Sequence, residues 1–138
     1  MRYNDDVLGL TVPLRNLALL ATYQRQYDRA LSYCREALEI LRPFDDHGMV
    51  SYTLEVVATA RCLNGDYADA AQLLGAAERQ RRTAGNAWPK NRRNDYDRML
   101  EILRSHLSDA DFKTSWAAGR ALSREDAIAA AMVSDTVR

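Results

Sequence analysis

The fold is decided by the stretch LATYQRQYDRALSYCREAL at residues 20–38 and by its counterpart VATARCLNGDYADAAQLLGAA at residues 57–77. A shift of 40 residues, as from Tyr27 to Tyr67, superimposes the two stretches. The same shift pairs further apolar and small residues: Leu14 with Leu54, Leu17 with Val57, Ala18 with Ala58, Ala30 with Ala70, and Ala37 with Ala77. Each stretch has an apolar-periodic segment, a short polar break and a second such segment. This pattern predicts a helix–turn–helix unit that occurs twice.

The small residues and the polar breaks have physical roles in this pattern. Ala18 and Ala30 fall on the two helices of the first unit, and a methyl-sized side chain lets antiparallel helices approach closely. In the second unit Gly65 tolerates the left-handed conformation that ends a helix, and Asp66 is a good N-cap for the next one. Because the first unit has Arg25 in the corresponding break, we expect a weaker turn there.

These residues carry a resemblance to a known family. The pattern resembles tetratricopeptide repeats, with a period of 40 instead of about 34 residues because extra residues lie around Arg42 to His47. The longer period, the segment AQLLGAAE at 71–78 and the tail SWAAGRALSREDA at 115–127 are similar to the C-terminal repeat region of MalT-like and LuxR-type bacterial ATP-binding transcriptional regulators. The resemblance covers roughly residues 6–132 and implies a superhelix of αα-hairpins.

The remaining segments predict further helices. A helix over 66–83 ends at Gly85, an amphipathic helix follows from the apolar spacing over 96–107, and Phe112 opens another. Ser123 begins a last helix with a capping-box-like pattern. We expect one all-α domain over residues 1–138 with about seven helices, comprising repeat units at about 6–42 and 47–85, then a C-terminal capping hairpin and a terminal helix at about 90–133.

The N-terminal end of the predicted stack has no cap. Val7, Leu10 and Leu14 begin the first helix directly, and Pro13 lies within it. A repeat unit cannot bury its apolar face alone, so we expect either earlier repeats or another chain to cover this end. The hypotheses are a fragment of a larger regulator and a homodimer through the N-terminal hairpin.

Composition and motifs argue against catalysis and bound cofactors. The 19 basic and 19 acidic residues cancel, whereas a nucleic-acid-binding protein favours a basic excess. The sequence contains no phosphate-binding glycine motif. The two cysteines, Cys34 and Cys62, make neither a disulfide framework nor a zinc set, and His47 and His106 have no suitably spaced metal ligands. We therefore expect no enzyme activity, no cofactor and no metal.

One basic cluster surrounds the loop that contains Trp88. Its members are Arg79, Arg81, Arg82, Lys90, Arg92 and Arg93. Such a cluster beside an aromatic residue could contact a nucleic-acid backbone, but arginines in the last turn of a helix also complement the helix dipole. We favour the second interpretation and do not expect nucleic acid as a partner of this chain.

The first helix of each unit provides the candidate binding surface. The resemblance implies that these helices line a concave face, which holds peptides or partner segments in tetratricopeptide arrays. We call the corresponding positions the groove face: Arg15, Leu19, Thr22, Tyr23, Tyr52, Glu55, Thr59 and Cys62. Within each unit these residues recur at helical spacing and share one side. They are more polar than the packing stripe, as a wet groove would be.

The expected function is that of a non-catalytic interaction or effector-sensing module of a bacterial transcriptional regulator. Its partner would be a protein or peptide segment, including the rest of a larger regulator. The alternative is a homo-oligomerisation domain without a separate ligand. The N-terminus lacks the long apolar stretch of a signal peptide, and no window of about 18 apolar residues exists. We therefore expect a soluble, cytoplasmic protein with no membrane contact.

Overall fold

The computed structural model describes residues 8–85 and 90–133, and these ranges contain seven helices and no strand. The helices are α1 (Thr11–Tyr23), α2 (Tyr27–Leu41), α3 (His47–Leu63), α4 (Tyr67–Ala84), α5 (Lys90–His106), α6 (Asp109–Arg120) and α7 (Arg124–Ala131). The prediction of an all-α fold with about seven helices is confirmed. None of these helices combines the length and the hydropathy needed to cross a bilayer. Val7 and Trp88 lie outside the described residues.

Helices α1 to α4 form two hairpins that pack around alanines. Helix α1 packs along α2, α3 packs along α4, and α2 joins the two units by packing on α3. The alanines of the 40-residue pattern are all buried: Ala18, Ala30, Ala37, Ala58, Ala70 and Ala77. Helix α3 is the central element, since α1, α2, α4, α5 and α7 all contact it.

The two hairpin turns have the same hydrogen bonds at the 40-residue spacing. In both, an amide N–H donates over 2.8 Å to the carbonyl five residues earlier, Gln26 to Ala21 and Asp66 to Arg61. The left-handed residue inside the turn is Gly65, with φ 94°, in the second unit and Arg25, with φ 63°, in the first. Because a Cβ atom disfavours this conformation, the first turn carries backbone strain that the second turn avoids.

Helix boundaries follow the capping signals in the sequence. Gly85 has φ 73° and ends α4, and the Ser123 hydroxyl accepts the Asp126 amide hydrogen at 3.1 Å where α7 begins. Helix α1 begins at Thr11 and has Pro13 in its first turn. An amide at that position has no intrahelical acceptor, so proline costs no hydrogen bond there.

The C-terminal helices do not repeat the hairpin arrangement. Helix α6 packs chiefly on α4, at a crossing where Gly75 and Gly119 each lie against the backbone of the opposite helix. A Cβ atom on Gly119 would collide with the carbonyl group of Gln72. Helices α5 and α6 make few contacts with each other. Helix α6 therefore pairs more closely with α4 than with α5, because the two glycines let the backbones of α4 and α6 approach.

Three arginine side chains donate hydrogen bonds to carbonyl groups at the C-terminal ends of other helices. At the end of α2, Arg124 donates to Leu41 and Phe44. At the end of α7, Arg61 donates to Ala131 and Val133, and at the end of α6, Arg79 donates to Arg120 and Leu122. The last four carbonyl groups of a helix lack intrahelical donors. The guanidinium groups satisfy these acceptors, complement the helix dipoles and hold α6 and α7 against the two hairpins.

Candidate functional site

The groove face of α3 is covered by α5. Arg92 of α5 reaches Glu55, and the distance between its Nη2 and Glu55 Oε1 is 2.9 Å. Further along α5 the sulfur atom of Met99 lies 3.8 Å from the hydroxyl group of Thr59. Helix α5 thus occupies much of the surface that the sequence pattern assigns to a partner.

Two guanidinium groups lie over the ring of Tyr52. Arg15 of α1 is 3.7 Å from the ring centroid and Arg92 of α5 is 4.3 Å from it. Burial, with a smaller contribution from the charge of Arg92, lowers the pKa of Arg15. A cation over an aromatic ring contributes roughly 0.5–2 kcal/mol. The stack joins α1, α3 and α5, and it brings together two groove-face residues, Arg15 and Tyr52.

Glu55 is buried beneath Arg92. Burial raises the pKa of its carboxyl group to about 7, although the hydrogen bond and the charge of Arg92 act in the opposite direction. Asp95 also contacts the guanidinium group, at 3.4 Å from its Nη1. A buried ion pair offsets its desolvation only if hydrogen bonds complete it, and among the described residues no acceptor meets the buried Nε of Arg92. The acidic group of the groove face therefore already has an intramolecular partner.

The remaining groove-face residues differ in exposure. Thr22 is buried and donates its hydroxyl hydrogen to the Ala18 carbonyl group at 2.8 Å. Cys62 is also buried, which raises the pKa of its thiol to about 11. Leu19 is half-buried against the core, whereas Tyr23 is 60% exposed at the end of α1. Of these four, Tyr23 is therefore the residue best placed to meet a partner.

A cavity of about 60 Å³ lies between α1, α3 and α5. Three groove-face residues, Tyr23, Thr59 and Cys62, contribute to its wall. The other lining residues are Leu63, Arg92, Asp95, Arg98, Met99 and Ile102. The structure thus brings three of the eight candidate residues to one opening, which combines a phenol, two guanidinium groups, a carboxylate and an apolar wall.

A family model described as Tetratricopeptide repeat matches residues 10–83, which is more than half of the chain. The chain belongs to the tetratricopeptide repeat family. The matched residues cover the two hairpins from α1 into the last turn of α4. Comparisons with curated proteins and with solved structures give no significant match. Tetratricopeptide repeats generally mediate protein–protein interaction, and such domains are typically non-catalytic.

In this tetratricopeptide repeat chain, α5 supplies site residues that sequence reasoning missed. Asp95, Arg98 and Met99 line the cavity together with Arg92, which the sequence pattern placed only in a basic cluster. The 40-residue shift does not point to these residues, because it carries the buried Ala58 onto the exposed Arg98.

The basic cluster near Trp88 does not form one free surface. Arg79 holds the end of α6, and Arg92 is buried against Glu55. The other described members lie near carboxylates, Arg81 and Arg82 at 3.9 Å from Glu78 and Arg93 at 3.7 Å from Asp97. The side chain of Lys90 lies outside the described residues. These contacts favour the structural interpretation of the described arginines.

The two histidines have local partners. His47, the first residue of α3, has Nε2 at 3.0 Å from Asp45, and its Nδ1 meets the Gln80 side chain. His106, at the end of α5, stacks on Tyr67 with 4.1 Å between ring centroids. Across 8–85 and 90–133 no three His, Cys, Asp or Glu side chains come together as metal ligands would.

Proposed function

We propose that this chain is the interaction or effector-sensing module of a bacterial transcriptional regulator, and that it binds a protein segment without catalysing a reaction. The cavity between α1, α3 and α5 is the observation that carries this proposal. Its mouth includes exposed Tyr23 and exposed Arg98, which makes no ion pair among the described residues. A segment with an apolar residue and a hydrogen-bond acceptor would match these groups.

The position of α5 determines how much of the groove face a partner reaches. With α5 in place, Glu55 and Cys62 are buried, so a partner contacts the α1 side of the groove and the outward side of α5. A longer contact along α3 requires α5 to move away. The partner's contacts are therefore expected to centre on Tyr23 and Arg98.

The regulator context rests on the resemblance of the segments at 71–78 and 115–127 to the repeat regions of ATP-binding regulators. A cytoplasmic location follows from the same proposal. Sequencing upstream of Met1 in the source genome tests the regulator context directly. An ATP-binding domain in the same reading frame supports the proposal, and a stop codon immediately upstream of Met1 contradicts it.

Selection of binding peptides tests the groove. Peptides from a displayed random library are selected on the wild-type chain and titrated against Tyr23→Ala, Arg98→Glu and the control Arg35→Glu. Arg35 is exposed on α2, outside the cavity lining. We expect affinity to fall at least about tenfold in the two groove variants, the loss of one good interfacial contact. Equal binding by the wild type and both groove variants would refute the proposal.

A further inference from the structure

The outward side of α1 is apolar and exposed, whereas the equivalent side of α3, 40 residues later, is buried. Leu10, Leu17 and Leu20 are 55%, 42% and 55% exposed. Their counterparts 40 residues later, Val50, Val57 and Ala60, are each 0% exposed. The same side of the first helix is therefore exposed in the first unit, on α1, and buried in the second unit, on α3.

A helix provides the cover in the second unit. There the preceding helix α2 packs on α3, and Val57 is buried. Among the described residues no helix plays this part for α1, whose main helix contacts are with α2 and α3. Because the two units share their turn and their packing alanines, the bare side of α1 has the shape of a helix–helix interface.

The spacing of the residues on this side indicates how a helix would pair with it. Leu10, Pro13, Leu17 and Leu20 follow one another at intervals of three, four and three residues. This is the spacing of a coiled-coil seam, which faces a single neighbouring helix. We call these four residues the α1 seam, and Leu10 and Leu20 are about 15 Å apart along it.

The charge pattern favours a second copy of the same chain as that neighbour. Between residues 8 and 24 the one charged residue is Arg15, and it points away from the seam, towards Tyr52. Two α1 helices can therefore face each other without opposing like charges. In an antiparallel pair, Leu10 of each copy opposes Leu20 of the other, and Pro13 opposes Leu17, so the seam is complementary to itself about a two-fold axis.

We propose that two copies of this chain associate through their α1 seams. A contact one helix wide buries less area than the roughly 800 Å² per partner of a standard stable interface. We therefore expect a weak dimer that dissociates on dilution into the micromolar range. The seam lies on a different side of α1 from Arg15, which contacts Tyr52.

Sedimentation velocity over a concentration series tests the proposal. From about 5 µM to about 1 mM, the wild-type mass should rise from one chain towards two. Leu20→Glu should weaken association at least about tenfold, because it places two carboxylates in the dry seam. Val133→Glu, at an equally exposed apolar residue near the C-terminal end of α7, should behave as the wild type. Circular dichroism verifies that both variants fold.

A second measurement covers the case in which Leu20→Glu does not fold. A chain with Leu10→Cys and Leu20→Cys should form a covalent dimer on mild oxidation, whereas the native Cys34 and Cys62 are buried. Val133→Cys is the control for random collisions. A wild-type mass of one chain at every concentration would overturn the proposal and leave the seam to a different helix. Crosslinking no faster than in the control would also overturn it.

Discussion

Replacement of Glu55 by glutamine should change how the stability of the fold depends on pH. Burial raises the pKa of Glu55 from 4.5 to about 7 in the folded chain. The native state therefore binds this proton more tightly than the unfolded state does. The contribution of Glu55 to stability is fully present below pH 4.5 and is lost as the pH rises through 7. A shift of this size corresponds to about 3 kcal/mol.

Urea unfolding of the wild type and of Glu55→Gln at several pH values between 4.5 and 8 measures this effect. Subtraction of the two free energies of unfolding cancels the pH dependence that the two chains share. We expect the wild type to lose about 3 kcal/mol relative to Glu55→Gln across this range. Glu39→Gln, at an exposed glutamate on α2, is the matched control and should show no such trend.

The direction of the difference decides the interpretation. If the wild type instead gains stability relative to Glu55→Gln as the pH rises, the ion pair with Arg92 outweighs burial. The carboxylate is then stabilised in the folded chain. If the difference is constant, Glu55 titrates alike in both states and is not buried beneath α5. The first result would refute the claim that burial dominates the pKa of Glu55, and the second would refute the reasoning that α5 covers the groove face of α3.

Three further substitutions test the fold. Arg25→Gly should stabilise the chain by about 0.5–1 kcal/mol, because glycine adopts φ 63° without the clash that arginine has; a lower urea midpoint would contradict this. Gly119→Val should destabilise it by at least about 2 kcal/mol through a clash between α4 and α6, whereas Ala118→Val should change thermal unfolding little. Ser123→Ala should cost about 1 kcal/mol by loss of the α7 cap, and an unchanged melting temperature would reject that role. Ser32→Ala, mid-helix and exposed, serves as its control.

The two hairpins could be predicted from sequence because their packing is periodic. Ala18 and Ala58 lie on equivalent helices, and the turn at Gly65 has a strong local signal. Helix ends such as Gly85 and Ser123 are likewise read from neighbouring residues. All of these features depend on local spacing. In the two hairpins the same spacing occurs twice, and this repetition supports the 40-residue period.

The placement of α5 and α6 could not be predicted in the same way. Arg92 and Glu55 are 37 residues apart, and no local pattern links an arginine to a buried glutamate on another helix. The close crossing of α4 and α6 depends on two isolated glycines, Gly75 and Gly119, and the sequence does not show which helix each of them meets. The groove-face residues of α1 and α3 follow from local helical spacing, whereas the cover that α5 provides over α3 does not.

The central claim is that a partner segment binds at the cavity between α1, α3 and α5. Nuclear magnetic resonance titration of the labelled chain with a selected peptide tests this claim most directly. We expect the largest chemical-shift changes at Tyr23, Thr59 and Arg98, and small changes along α7. Changes confined to α6 and α7, with Tyr23 and Arg98 unaffected at saturation, would contradict the claim.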